Sequence, residues 1–177
     1  MTAPDRSLSR RKLILRTSLG GVMALLGAAE SSAQRPKKEP LKPELVREYV
    51  LVAHKDFERV KELLSGEPAL LNAAWDWGGG DWETALGAAA HTGGREIALY
   101  LLERGARIDL FAAAMLGNFE IVKATLNAYP EQIDARGPHG IPLVVHAQMG
   151  GKQAEKVLKF LQKLRPPKAP AGDGTSG

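Results

Sequence analysis

The segment Thr84-Ala85-Leu86-Gly87-Ala88-Ala89-Ala90-His91-Thr92-Gly93-Gly94-Arg95-Glu96-Ile97-Ala98-Leu99-Tyr100-Leu101-Leu102-Glu103-Arg104-Gly105-Ala106 decides the fold. Thr84 opens an alanine-rich run, and Gly93-Gly94 follows as the turn where the chain reverses. Ile97, Ala98, Leu101 and Leu102 then recur at helical spacing, and Gly105 closes the second run. The reading is two short helices joined by a tight turn. Alanines in the first helix leave room for neighbouring helices to approach closely.

The same frame recurs. Ala113 to Leu126 lies over Ala89 to Leu102, with Gly117 in the place of Gly93, and Leu51 to Leu64 fits without strain; Asp56-Phe57-Glu58 and Asn118-Phe119-Glu120 read as caps at the start of the second helix of their units. Gly140-Ile141-Pro142-Leu143, Ala147 and Gly150 open another unit. From its Thr-Ala-Leu-Gly-Ala-Ala-Ala opening to its final Gly-Ala, the 84–106 unit resembles the ankyrin repeat, a helix pair that buries its apolar face only by stacking on neighbours. The resemblance covers about Leu45 to Leu164. It implies an all-α ankyrin-repeat solenoid of about four helix pairs, with irregular finger loops between them. Stacking is expected to hide Leu86, Ala89, Ala90, Ile97, Leu101 and Leu102 against Ala113, Ala114, Ile121, Val122 and Leu126. The array departs from a regular one: the third unit lacks a finger loop, the second has gained one, and the fourth has extra residues after Gly150.

Outward from the repeats, the chain divides into 1–33, a cleavable export signal; 34–44, a linker; 45–165, the repeat domain; and 166–177, a Pro/Gly-rich tail read as disordered. In the first of these, Arg10, Arg11 and Lys12 precede a small and apolar run from Thr17 to Ala29, then Ser31-Ser32-Ala33. That run is shorter than the roughly 20 residues needed to cross a bilayer, so no stable membrane insertion is expected after cleavage. Arg10 and Arg11 in Ser-Arg-Arg-Lys-Leu-Ile resemble the twin-arginine signal of bacteria, which implies export in folded form to the periplasm or beyond. A general secretory leader with two adjacent arginines is the competing reading.

Charge follows this division. The 177-residue chain has a formal net charge of +4, with 25% charged and 44% hydrophobic residues. Five of the cations sit in the leader, residues 45–150 hold more Asp and Glu than Lys and Arg, and the last helix is basic. An acidic body is a poor match for nucleic acid. Lys156, Lys159 and Lys163 read as the solvated cap that ends a stack, on a helix with ordinary core spacing at Val157, Leu158, Phe160, Leu161 and Leu164. The absence of cysteine excludes disulfides, thiolate metal sites and a cysteine nucleophile. No cofactor fingerprint occurs, and Gly78-Gly79-Gly80 lacks the spacing of a dinucleotide or phosphate loop.

Chemistry concentrates in Trp75-Asp76-Trp77-Gly78-Gly79-Gly80-Asp81-Trp82-Glu83, which holds all 3 tryptophans. In the repeat frame this is the finger loop before Thr84. One reading folds the tryptophans back over the loop. The other makes Trp75, Trp77, Asp81, Trp82 and Glu83 a recognition surface, with flat indole faces and carboxylates that favour a cation or a hydroxyl-rich ligand. His91 and Met115 occupy equivalent positions on successive inner helices and are expected as its floor. His139, in Gly137-Pro138-His139-Gly140, falls in the next available finger loop. His54 also falls beside the end of an inner helix, and His146 reads as a hydrogen-bonded interior histidine.

A shared metal or general-base site of His91 and His139 with Asp81 or Glu83 is chemically sensible. No paired ligand spacing such as His-Glu-x-x-His supports it, so the expectation is that catalytic residues, metal and cofactor are all absent. The leading functional expectation is an exported module that binds a protein partner, as the repeat resemblance implies. The alternative is a small-molecule or glycan-binding protein, hydrolysis included, with its site between the Trp-rich and Gly-Pro-His-Gly loops. Protection or inhibition of a second periplasmic enzyme is a third reading.

Overall fold

The computed structural model describes residues 39–165; the expected export signal with Arg10 and Arg11, the first part of the expected linker and residues 166–177 lie outside the described residues. Eight helices make up most of what is described: α1 (Pro43–Val52), α2 (Phe57–Gly66), α3 (Ala85–Thr92), α4 (Arg95–Glu103), α5 (Leu110–Leu116), α6 (Phe119–Ala128), α7 (Leu143–Met149) and α8 (Glu155–Leu164). The fold is therefore mostly helical, and none of these helices is long and apolar enough to cross a membrane. Two short strands, β1 (Ala74–Asp76) and β2 (Trp82–Thr84), form an antiparallel hairpin that pairs Trp75 with Glu83. Helix α1 starts two residues before the expected domain boundary, because Pro43 fits the first turn, where its missing N–H costs nothing.

The helix ends follow from side-chain chemistry. Thr84 Oγ1 accepts from the Gly87 N–H at 3.0 Å, Asp109 from Ala112 at 2.7 Å and Asp56 from Arg59 at 3.0 Å. Asn118 was expected to cap α6 in the same way, but its side chain makes no such bond. The preceding turn does the work instead. Gly93 and Gly117 both sit at φ 76°, and in each case the next N–H reaches back to close the helix, Gly94 to the Ala89 carbonyl at 2.8 Å and Asn118 to Ala113 at 2.9 Å. After α7 the chain departs from this pattern: Gly150 stays in the right-handed helical region and a 3-10 turn, Gly151–Ala154, leads into α8.

Helix α3 packs against α1 on one side and α5 on the other, and α5 packs against α7. Alanines are central to this arrangement: Ala88, Ala89, Ala90, Ala112, Ala113 and Ala114 are all fully buried. With side chains this small on α5, α7 also reaches α3. Helix α5 divides the interior, since Ala112, Met115 and Leu116 join the apolar cluster of α1 to α4 while Ala113 and Ala114 join that of α6 to α8. Ile121 and Leu164 were expected inside but are 40% and 51% exposed. They lie on α6 and α8, whose inward stripes are already filled by Val122 and Leu126 and by Val157 and Leu161.

Two connections project on the same side. The first is the β1–β2 hairpin ahead of α3. The second, between α6 and α7, contains the 3-10 turn Pro138–Gly140 and an isolated bridge from Arg136 to Pro142. The α4 to α5 connection spans only residues 104–109, and Asp109 at its end lines the cleft between these two loops.

Candidate functional site

Within the hairpin, the Asp76 carboxylate accepts from the Gly78 N–H at 2.8 Å and the Gly80 N–H at 3.2 Å. The turn it organises places Gly78, Gly79 and Gly80 at φ 124°, 66° and 86°, a run that only glycine adopts without strain. Alternation along β2 then turns Trp82 outward, 62% exposed, and Glu83 inward, fully buried.

A buried carboxylate is costly unless paired, and Glu83 is surrounded by donors and imidazoles. His91, on the last turn of α3, places Nε2 at 2.8 Å from Glu83 Oε1. The Trp77 indole N–H donates to Oε2 at 2.7 Å. His54, just beyond α1, brings its Nε2 to 3.6 Å of Oε2, and His139 brings its own Nε2 to 3.5 Å. Four ligand atoms, one from each of His54, Glu83, His91 and His139, lie within 4.8 Å of one another. Burial alone would raise the Glu83 carboxyl pKa, but the hydrogen bonds from His91 and Trp77 and the nearby imidazoles outweigh it and hold it below the ordinary value.

His139 reaches this point from 58 residues away through a clasp with Asp81. Its backbone N–H donates to Asp81 Oδ1 at 2.8 Å and its Nδ1 lies 2.9 Å from Oδ2. The backbone bond foremost lowers the Asp81 pKa. His139 sits at φ 58°, the one described non-glycine residue in the left-handed region. Such a residue costs free energy unless its surroundings hold it there, and the two Asp81 contacts do so.

Of the residues expected to form a surface, Trp77, Asp81, Glu83, His91 and His139 come together. Trp82 stands beside them over a cleft of about 300 Å³ lined by Asp81, Thr84, Phe111 and Pro138. Trp75 is half-buried and packs on the core. Met115 is fully buried in the core cluster, so it is no part of an accessible floor. It follows α5 inward because α7 covers the position that would otherwise be open, with the Met115 carbonyl beneath Gly150. His146 is interior as expected, its Nδ1 at 3.0 Å from the Pro142 carbonyl, while its Nε2 is buried without a partner.

Sequence reading did not include His54 among the binding residues. Its placement beside the end of an inner helix was visible, but that Ala53 turns into the core and His54 toward the hairpin is a matter of helix phase. The fully buried position of Glu83 was equally hidden, because it depends on partners distant in sequence, His54 and His139.

No protein-family model matches this chain, and no curated protein matches it.

Proposed function

We propose that this chain is an exported ankyrin-type repeat module that binds a protein partner through its two projecting loops. The single observation that carries the reading is the recurrence of one turn: Gly93 and Gly117 share the same left-handed geometry and the same closing hydrogen bond. The packing of α1, α3, α5 and α7 in chain order, with a hairpin ahead of α3, agrees with such a stack. On that frame the exposed face of Trp82 is the natural anchor, since large aromatic side chains dominate binding energy at protein interfaces.

The experiment is affinity capture from a bacterial periplasmic extract with the chain from Gln34 onward, beside a Trp82→Ala variant. One stoichiometric protein is expected on the parent and not on the variant, at equal melting temperature. Undiminished capture by Trp82→Ala removes the loop from the interface. The second reading, a small polar ligand, is favoured by the cleft between the two loops; saturable binding of a sugar with no protein captured selects it. Export rests on the paired arginines alone. Replacing Arg10 and Arg11 by lysine is expected to leave precursor in the cytoplasm, and normal delivery of that variant overturns a twin-arginine leader.

A further inference from the structure

The tautomers at the centre of the site are fixed by their partners. His54 Nδ1 lies 3.2 Å from the Val50 carbonyl and 3.0 Å from that of Leu51. Both oxygens can only accept, so Nδ1 carries the proton and the neutral ring turns the Nε2 lone pair toward Glu83. His139 repeats the arrangement, with Nδ1 bound to the Asp81 carboxylate and Nε2 facing inward. Two imidazole lone pairs and a buried carboxylate therefore converge on one point. With both rings neutral, these three acceptors repel unless something positive lies among them, and His91 Nε2, hydrogen-bonded to Glu83 in the metal-free site, adds a third nitrogen and a fourth donor atom to the same shell.

We propose that His54, Glu83, His91 and His139 form a binding site for a divalent transition-metal ion, with zinc its natural occupant. This goes beyond the binding-module reading and holds whichever partner the loops take. Imidazole donors suit zinc, cobalt, nickel and copper, whereas calcium and magnesium require oxygen ligands throughout. A tetrahedral zinc with bonds of about 2.0–2.1 Å separates its ligand atoms by roughly 3.3–3.4 Å. The distances of 2.8, 3.5 and 3.6 Å from the Glu83 oxygens to the three Nε2 atoms bracket that edge.

The surroundings carry the features that orient metal ligands. A histidine that binds metal through one nitrogen typically donates from the other to a carbonyl or a carboxylate; His54 and His139 do so to Val50 and Leu51 and to Asp81 respectively. Trp77 holds the Glu83 carboxylate by its indole N–H. Four protein donors complete a tetrahedron, so the ion's role is that of a closed structural site. It ties the end of α1, the hairpin, α3 and the turn before α7 into one unit.

The test uses the chain from Gln34 onward, expressed without a polyhistidine tag and stripped with EDTA. Titration with zinc chloride is expected to saturate at one ion per chain and to raise the melting temperature. Cobalt chloride is expected to give the intense visible spectrum of tetrahedral coordination. Asp81→Asn, which touches no metal ligand atom directed inward, should weaken zinc about 10–100-fold. His139→Ala, on an exposed turn, should weaken it further, and His54→Ala with His139→Ala should abolish stoichiometric uptake. His146→Leu should leave uptake unchanged. Absence of saturable zinc or cobalt binding in the folded chain overturns the site, as does an octahedral cobalt spectrum. Undiminished affinity in the double variant has the same consequence. Should that variant not fold, the cobalt spectrum of the parent and the single His139→Ala titration decide the matter.

Discussion

The two tryptophans nearest the site separate packing from recognition. Trp77 is half-buried and its N–H is spent on Glu83, so Trp77→Ala should lower the melting temperature and, in the stripped protein, leave a buried carboxylate short of a donor. Trp82 has no such duty. Trp82→Ala should leave thermal unfolding unchanged and weaken partner capture about thirtyfold or more, the scale of an anchor worth roughly 2 kcal/mol. A fall in melting temperature for Trp82→Ala with capture intact would return it to a structural role. Two interior groups offer further checks. The Tyr49 hydroxyl is buried without a hydrogen-bond partner, so Tyr49→Phe should hold or increase stability in denaturant unfolding. His146 has its pKa lowered, by burial first of all. The unfolded chain therefore takes up a proton at that residue more readily than the folded one, and the associated stability is present above the unfolded value of about 6.5 and lost as pH falls below it. His146→Leu should flatten the pH dependence of unfolding in that window, measured on EDTA-stripped protein; an unaltered slope shows that His146 titrates alike in both states.

Among the elements, the turns carry the sharpest expectations. Gly105 and Gly117 both have positive φ, but a Cβ on Gly105 meets open space while one on Gly117 collides with the Gln153 carbonyl. Gly105→Ala should cost about 1–2 kcal/mol from backbone strain alone, and Gly117→Ala clearly more. Equal costs in denaturant unfolding would mean that the α5 to α6 turn is not pressed against the segment before α8. Ala114 is fully buried where α5 meets its neighbours, and Ala114→Leu should overpack that junction by about 1–3 kcal/mol. These elements were legible in sequence because their causes are local: the segment opening at Asp56 caps, Gly93 and Gly117 stop, and apolar residues recur at helical spacing. Ile121 and Leu164 were misplaced because spacing defines a stripe without saying which edge of it a neighbour covers. The extra residues after Gly150 were visible as an insertion, but their 3-10 conformation depends on the close approach of Gly150 to Met115.

For the whole molecule, legibility fell with sequence separation. That Trp77, Asp81, Glu83, His91 and His139 share one region was an expectation drawn from a resemblance, and the structure brings these five together. That His54 joins them, that Glu83 is their centre and that Met115 does not, depends on how α1 and α7 close upon α3, which no local pattern encodes. The Asp81 to His139 clasp also bears on the order of events as the chain folds. Helix pairs joined by turns of a few residues can assemble early, whereas a contact spanning 58 residues must await loop closure and the docking of the final pair. Interactions made after the rate-limiting step leave the refolding rate alone and act on the lifetime of the native state. In stopped-flow measurements on stripped protein, Asp81→Asn should hasten unfolding severalfold at an unchanged refolding rate; a slowed refolding limb would place the clasp in the nucleus. A chain that carries no cysteine would thereby obtain from one aspartate and one histidine something of the persistence that a covalent cross-link gives, a longer native lifetime gained by deepening the native well and leaving the approach to it unchanged.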